Sequence, residues 1–165
     1  MQRTRVLDKN QLDQKLDRLA WQIYEDNYKE KEIIISGVAD RGIILAKMIE
    51  IKLTKISNLK IRLVTIILDK DNPYSKDIIV DINEKEFRDK VIILVDDVLN
   101  SGKTLMYAAK YFLSVPLNKL STAVLVNRNH NLFPIKADFI GLSLSTTLKD
   151  QVSVELRGNI GVFLS

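Results

Sequence analysis

Residues 91–95, Val-Ile-Ile-Leu-Val, form an unbroken apolar run that stops at two adjacent carboxylates, Asp96 and Asp97. A strand with one wet face alternates apolar and polar residues. One with no polar alternate is buried on both sides, and that condition is met mainly in parallel sheets covered by helices. Comparable runs occur at 31–38, 59–68 and 119–127, with a fifth strand expected at 136–144. The stretches between them carry helical spacing. Leu12, Leu16, Leu19, Trp21 and Ile23 mark an amphipathic helix over 8–27. A second helix is expected over 41–53, opening near Gly42, and a third over 103–113, with Pro116 barring its continuation. Strands alternating with helices predict an α/β domain, a parallel sheet with helices on both faces.

The 165 residues suit one compact domain, and an apolar content of 46% supplies its core. With no cysteine, disulfides and thiolate metal sites are excluded. The first residues lack the apolar centre of a signal peptide, and no run is long enough to span a membrane. A cytoplasmic protein is the expectation. The formal charge of +4 is spread among interspersed acids and bases. It permits an anionic ligand but forms no dense basic stripe of the kind dedicated nucleic-acid binders carry.

Parallel sheets bind ligands at the carboxyl ends of their strands, which is where Asp96 and Asp97 fall. Taken singly, Asp97 reads as a helix cap and Asp96 as a surface acid. Taken together they repel, more strongly in a low-dielectric crevice, and need a cation or hydroxyl donors. The loop that follows, Asn100-Ser101-Gly102-Lys103-Thr104, leads into a helix whose amides form an anion site. A ligand with a diol beside a phosphate, a ribose 5-phosphate, satisfies both halves. A P-loop is excluded, because Asp97 stands where its first glycine belongs. A phospho-receiver domain fits poorly, because its acidic pair ends the first strand rather than the third.

The stretch VIILVDDVLNSGKT resembles the phosphoribosyl-diphosphate motif of type I phosphoribosyltransferases, and most of all that of the bifunctional uracil phosphoribosyltransferase and pyrimidine-operon attenuator family. LDRLAWQIYEDN, SGVADRGIILA and VLVNRNHNLFPIKADFIG are similar to that family's first helix, pyrophosphate loop and later loop, in the same order. The resemblance implies the type I phosphoribosyltransferase fold with a small hood, formed mainly by 127–165. It also implies a magnesium-dependent transfer from 5-phosphoribosyl 1-diphosphate to a base. Asp96 and Asp97 would be the catalytic pair, holding the ribose hydroxyls directly or through magnesium and water. Val98, Leu99, Asn100, Ser101, Gly102, Lys103 and Thr104 would hold the 5-phosphate. Val38, Ala39, Asp40, Arg41 and Gly42 would hold pyrophosphate, and Arg128 and His130 would serve the hood over the base. The partners implied are that diphosphate, a nucleobase and a second copy of the chain, as dimer or more.

Several residues depart from the pattern. Asn100 replaces the aspartate of 6-oxopurine enzymes and cannot take a proton, which favours a pyrimidine. Asp40 replaces threonine and either caps the next helix or needs Arg41 or magnesium to neutralise it. Residues 69–82 form a short, arginine-free version of the mobile loop, with Lys70 and Lys76 its only bases near pyrophosphate, and they read as a flexible connection. Asn127, Asn129 and Asn131 also differ. Asp17, Trp21 and Asp26 flank Arg18 where the family's RNA surface is basic, so RNA binding is expected to be weak or absent. Trp21 is read instead as a core or dimer-packing residue. A non-catalytic regulator that senses a nucleotide or phosphoribosyl diphosphate and binds RNA, as an attenuator does, or a protein is the alternative function.

Overall fold

The computed structural model describes residues 3–165. Thirteen elements follow one another: β1 (Thr4–Leu7), α1 (Lys9–Asn27), β2 (Glu32–Val38), α2 (Arg41–Ile56), β3 (Lys60–Ile67), β4 (Ile79–Val80), α3 (Glu84–Phe87), β5 (Val91–Leu99), α4 (Lys103–Phe112), β6 (Lys119–Asn127), β7 (Phe139–Ser143), β8 (Val152–Glu155) and β9 (Gly161–Leu164). Six strands form one sheet in the order β4-β3-β2-β5-β6-β7. Every neighbouring pair is parallel except the short β3–β4 pairing at one edge.

Successive side chains of β5 serve opposite faces. Val91, Ile93 and Val95 join the cluster beneath α1 and α2, while Ile92 and Leu94 join the one beneath α3 and α4. This is why the run tolerates no polar residue before Asp96. α1 starts where Asp8 accepts a hydrogen bond from the Gln11 amide at 2.8 Å and the Gln11 side chain accepts from the Asp8 amide at 2.9 Å. Its buried face, Leu12, Leu16, Leu19, Ala20 and Ile23, follows the helical spacing. Each such leucine contributes roughly 1.5–3 kcal/mol by leaving water. No helix among the described residues is long and apolar enough to cross a membrane.

Three expectations need correction. Trp21 is not a core residue: it is 49% exposed, its ring edge-on to Tyr24. The fifth strand is shorter than 136–144, because the Lys136 carbonyl and the Asp138 carboxylate are taken by Thr122, through its hydroxyl at 2.7 Å and its amide at 2.8 Å. Residues 69–82 are not merely a flexible connection, since they contain β4, which pairs Ile67 with Ile79. A second sheet, β1-β9-β8, is antiparallel and joins the chain's two ends, with Thr4 opposite Leu164.

Candidate active site

The parallel pairing of β2 with β5 last matches Gly37 with Val95, so Asp96 and Asp97 project just beyond it at the carboxyl edge. Both are buried. β5 runs on to Leu99, and Gly102 takes the position that opens α4. Asp97 is therefore no helix cap, and Asp96 is no surface acid. The start of α2 lies directly on this strand end. A Cβ added to Gly42 would come within 2.6 Å of the Val95 carbonyl and 3.2 Å of the Asp96 Cα.

Two bases meet the acid pair. Lys70 Nζ donates to Asp96 Oδ1 at 2.9 Å and lies 3.7 Å from Asp97 Oδ1. Arg41 Nη1 reaches Asp97 Oδ2 at 3.4 Å. Burial, the largest influence, pushes the Asp96 carboxyl up to about 7, and Asp97 pushes the same way while Lys70 pulls it down. Burial works most strongly against the charge on Lys70 as well, yet the two carboxylates together lift its pKa above the ordinary lysine value. The two shifts conflict, because Lys70 rises only if Asp96 is charged. Geometry decides between them: one ammonium within reach of both carboxylates favours the ionised pair, so burial makes that charge costly without abolishing it.

A cleft of about 330 Å³ opens between Asp96 and the loop at the start of α4, lined by Lys70, Asp71, Asp96 and residues 98–105. Gly102 has φ +85, and Ser101 Oγ accepts from the Lys103 amide at 3.2 Å. The remaining first-turn amides of α4 face the cleft end of the helix, which carries its positive pole. Lys103 Nζ donates to the Asp71 carbonyl at 2.9 Å. The donor set suits magnesium, which binds through one or two carboxylates and fills its shell with water and substrate oxygens. No cluster of three or more potential metal-ligating side chains exists among the described residues, so the protein alone offers no complete cage.

The other assigned residues divide. Val38 to Gly42 curl from β2 into α2 beside Asp96, with a cis peptide between Ala39 and Asp40. Asp40 occupies the capping position of α2 but makes no capping hydrogen bond, so the capping explanation of this residue fails. Arg128 and His130 do not point into the cleft as bare donors. Arg128 Nε donates to Thr146 Oγ1 at 3.0 Å, and its Nη2 donates to the carbonyls of Thr147 and Asp150 at 3.1 and 2.7 Å. His130 Nε2 lies 2.8 Å from the Thr146 carbonyl. Together they pin the segment 146–150. Asn129 has φ +58, a conformation that asparagine tolerates better than most residues.

Sequence reasoning placed Lys70 near pyrophosphate rather than on Asp96, and it missed Ile135, whose Cγ2 lies 2.7 Å from where a Cβ on Gly102 would stand. Neither sits in a periodic pattern that would have flagged it.

Residues 2–155 match the model of the phosphoribosyl transferase domain. The bifunctional protein PyrR of Staphylococcus carnosus is 36% identical over 94% of this chain and 93% of its own. That of Fusobacterium nucleatum is 33% identical over 92% and 90%. In fold, the chain matches a hypoxanthine-guanine phosphoribosyltransferase of Bacillus anthracis with a TM-score of 0.78, covering 97% and 95% of the two chains at 17% identity. The domain match over residues 2–155 and relatives of 33% and 36% identity along nearly the whole chain, on this sheet with its buried acid pair, mean that the chain belongs to the phosphoribosyl transferase domain family and, within it, to the bifunctional PyrR proteins.

Proposed function

We propose that the protein transfers a 5-phosphoribosyl group from 5-phosphoribosyl 1-diphosphate to a pyrimidine base, uracil, and releases pyrophosphate. The observation that carries this reading is the buried Asp96, with Asp97 beside it, set across one cleft from the Ser101–Gly102 turn and the N-terminus of α4. The carboxylates accept the ribose hydroxyls and oppose the positive charge that builds at C1 as the bond to pyrophosphate breaks. Amides of the 100–104 loop hold the 5-phosphate, so the ring is fixed at two points before the base nitrogen attacks C1. Gly42 offers backbone, and Arg41 a guanidinium, to the leaving group, whereas the Ala39 amide is taken by the Ile66 carbonyl at 2.9 Å and Val38 by the β2–β3 pairing. Bound magnesium would supply positive charge to that leaving group, held near Asp96 and Asp97 through water. Arg128 and His130 act by fixing the 146–150 segment of the hood, so they are positioning residues.

The proposal extends to one domain over 1–165, hooded by 127–165 together with β1, acting in the cytoplasm in nucleotide salvage. It includes a homo-oligomer, for which exposed Trp21 and Tyr28 on α1 offer apolar surface. Turnover of labelled phosphoribosyl diphosphate with a panel of bases tests the reaction. Product with uracil and little with hypoxanthine or guanine is expected, because Asn100 offers no carboxylate to a purine ring. Robust activity with guanine alone contradicts the base assignment.

The proposal does not extend to a sequence-specific RNA complex. Arg18, the base that matches the family's RNA surface, donates instead to the Ile140 carbonyl at 3.0 Å and to the Gly141 carbonyl at the edge of β7. Asp13 and Asp17 nearby bind Lys52 at 2.7 and 2.8 Å. A filter-binding titration with pyrimidine-operon leader RNA should show only weak retention that salt removes. A nanomolar complex that survives moderate salt and tightens with uridine nucleotides would restore the regulatory role.

A further inference from the structure

Lys70 stands apart from every other base near the cleft. It is carried by the segment between β3 and β4, and that segment is tied across the cleft at two consecutive residues. Lys70 Nζ reaches in to Asp96 and Asp97. The carbonyl of Asp71 is held from the other side by Lys103 Nζ. The turn that aims them is preformed, because Asp69 Oδ1 accepts from the amides of Asp71 and Asn72, each at 3.0 Å. Both ties occupy groups that a ribose-phosphate ligand must use: the acid pair that faces its diol, and the lysine that opens the phosphate helix.

The charge balance gives the arrangement its meaning. Two buried carboxylates on neighbouring residues repel and would ordinarily draw a cation from solution. Here one ammonium touches both, and Arg41 meets Asp97 from the far side. Two negative charges thus face two positive ones with no metal needed. A divalent ion that binds Asp96 and Asp97 must displace the Lys70 ammonium, and displacing it loosens one of the segment's two ties.

We propose that Lys70 is a built-in counter-ion of the acid pair: it competes with divalent metal for Asp96 and Asp97 and, with Lys103, ties residues 69–82 across the cleft. The proposal rests on the functional reading in one respect, that the acid pair is where metal and ribose bind.

The test uses the full chain without nucleotide, with Mn2+ as a paramagnetic probe read by electron paramagnetic resonance and the strap read by hydrogen–deuterium exchange of amides 70–78. Lys70→Met should bind Mn2+ about tenfold more tightly than wild type, the scale of one charge-assisted contact removed from competition. Lys70→Arg should keep the wild-type affinity. Lys103→Met should tighten Mn2+ binding by less than Lys70→Met, because it loosens the segment but leaves the competing ammonium in place. Both methionine variants should raise exchange across 70–78 by about tenfold, with no change in α1. Unchanged or weaker Mn2+ binding by Lys70→Met overturns the competition, and wild-type exchange in both variants overturns the strap. If Lys70→Met does not fold, exchange in Lys103→Met decides alone. Asp96→Asn separates the layers. Mn2+ binding lost in Asp96→Asn but indifferent to Lys70 removes this inference and leaves the functional reading standing. Mn2+ binding that survives Asp96→Asn and Asp97→Asn alike removes the acid pair as the metal site, on which the functional reading depends.

Discussion

Glu32 and Asp96 lie at opposite ends of the same sheet, and each is a carboxylate facing lysine. Glu32, at the start of β2, receives Lys90 Nζ at 3.0 Å and Lys60 Nζ at 3.6 Å. Asp96, at the far end of β5, receives Lys70 Nζ at 2.9 Å. The hydrogen bond from Lys90 holds Glu32 below the usual carboxylate range, while burial pushes Asp96 above it. The partners are alike and the outcomes opposite, because water solvates one pair and is excluded from the other. At the amino end charge supports the fold a little. At the carboxyl end charge costs the fold and is retained for chemistry, the pattern in which perturbed carboxylates mark functional clefts.

The strongest way to break this contrast is to remove a carboxylate at the costly end. Asp97→Asn should leave the fold intact and reduce turnover of phosphoribosyl diphosphate about 10- to 150-fold, the worth of one charge-assisted hydrogen bond to the ribose. Steady-state kinetics beside a circular dichroism spectrum would check it, and wild-type turnover would show that the pair does not face the ribose.

Gly102→Val attacks the same end through the backbone. The residue has φ +85, and its new Cβ would press on Ile135 Cγ2. The strain costs about 1–3 kcal/mol of stability, and calorimetry should show ribose 5-phosphate binding lost. Pairing it with Ile135→Ala relieves the contact but not the φ, so stability should return only in part. Full recovery would mean that the left-handed conformation matters less than the clash.

These two targets were legible in the sequence for a physical reason. An apolar run with no polar alternate fixes a doubly buried strand, and a charge placed directly after it has few ordinary uses. The parallel order of β2, β3, β5 and β6 followed from the same logic. What was not legible depended on contacts made only after folding. Lys70 sits in a polar, aperiodic segment 26 residues from Asp96, and nothing local distinguishes it from Lys76. β1 and β9 are four residues each; β1 becomes a strand only by pairing β9, which lies between it and β8. Arg128 resembled a base-binding residue, but its guanidinium is spent on Thr146, Thr147 and Asp150. Trp21 fitted the apolar spacing of α1 yet lies off the buried stripe, because the helix turns it toward solvent.

The comparison sharpens if the site carboxylate is neutralised without asking about activity. Asp96→Asn keeps the shape, removes a buried charge and ends its repulsion with Asp97, while Lys70, 38% exposed, can turn to water. In chelator near neutral pH the variant should be more stable than wild type by about 1 kcal/mol, even as ligand binding is lost. Urea denaturation measures it. A marked loss of stability would mean that the Lys70 pair supports the fold after all, and that the two ends of the sheet differ less than their burial suggests.

The smallest effect belongs to the solvated end. Glu32→Gln removes the partner of Lys90 and Lys60, a partly buried carboxylate at the rim of the sheet, and a surface pair of this kind contributes about 0.2–1 kcal/mol. The sign of its pH dependence follows from the lowered pKa. A carboxyl held below its ordinary value of 4.5 in the folded chain adds stability that is fully present above that value. The contribution fades as pH falls through the lowered one, because the folded state must then take up a proton that the unfolded chain already carries. Wild type should therefore exceed Glu32→Gln by a few tenths of a kcal/mol near neutral pH, and the difference should vanish once pH has fallen below the lowered pKa. Added salt should shrink the difference at neutral pH, since these charges are solvated. Urea denaturation of both proteins across that range would measure it. A difference that grows as pH falls would reverse the sign and place Glu32 in the same class as Asp96.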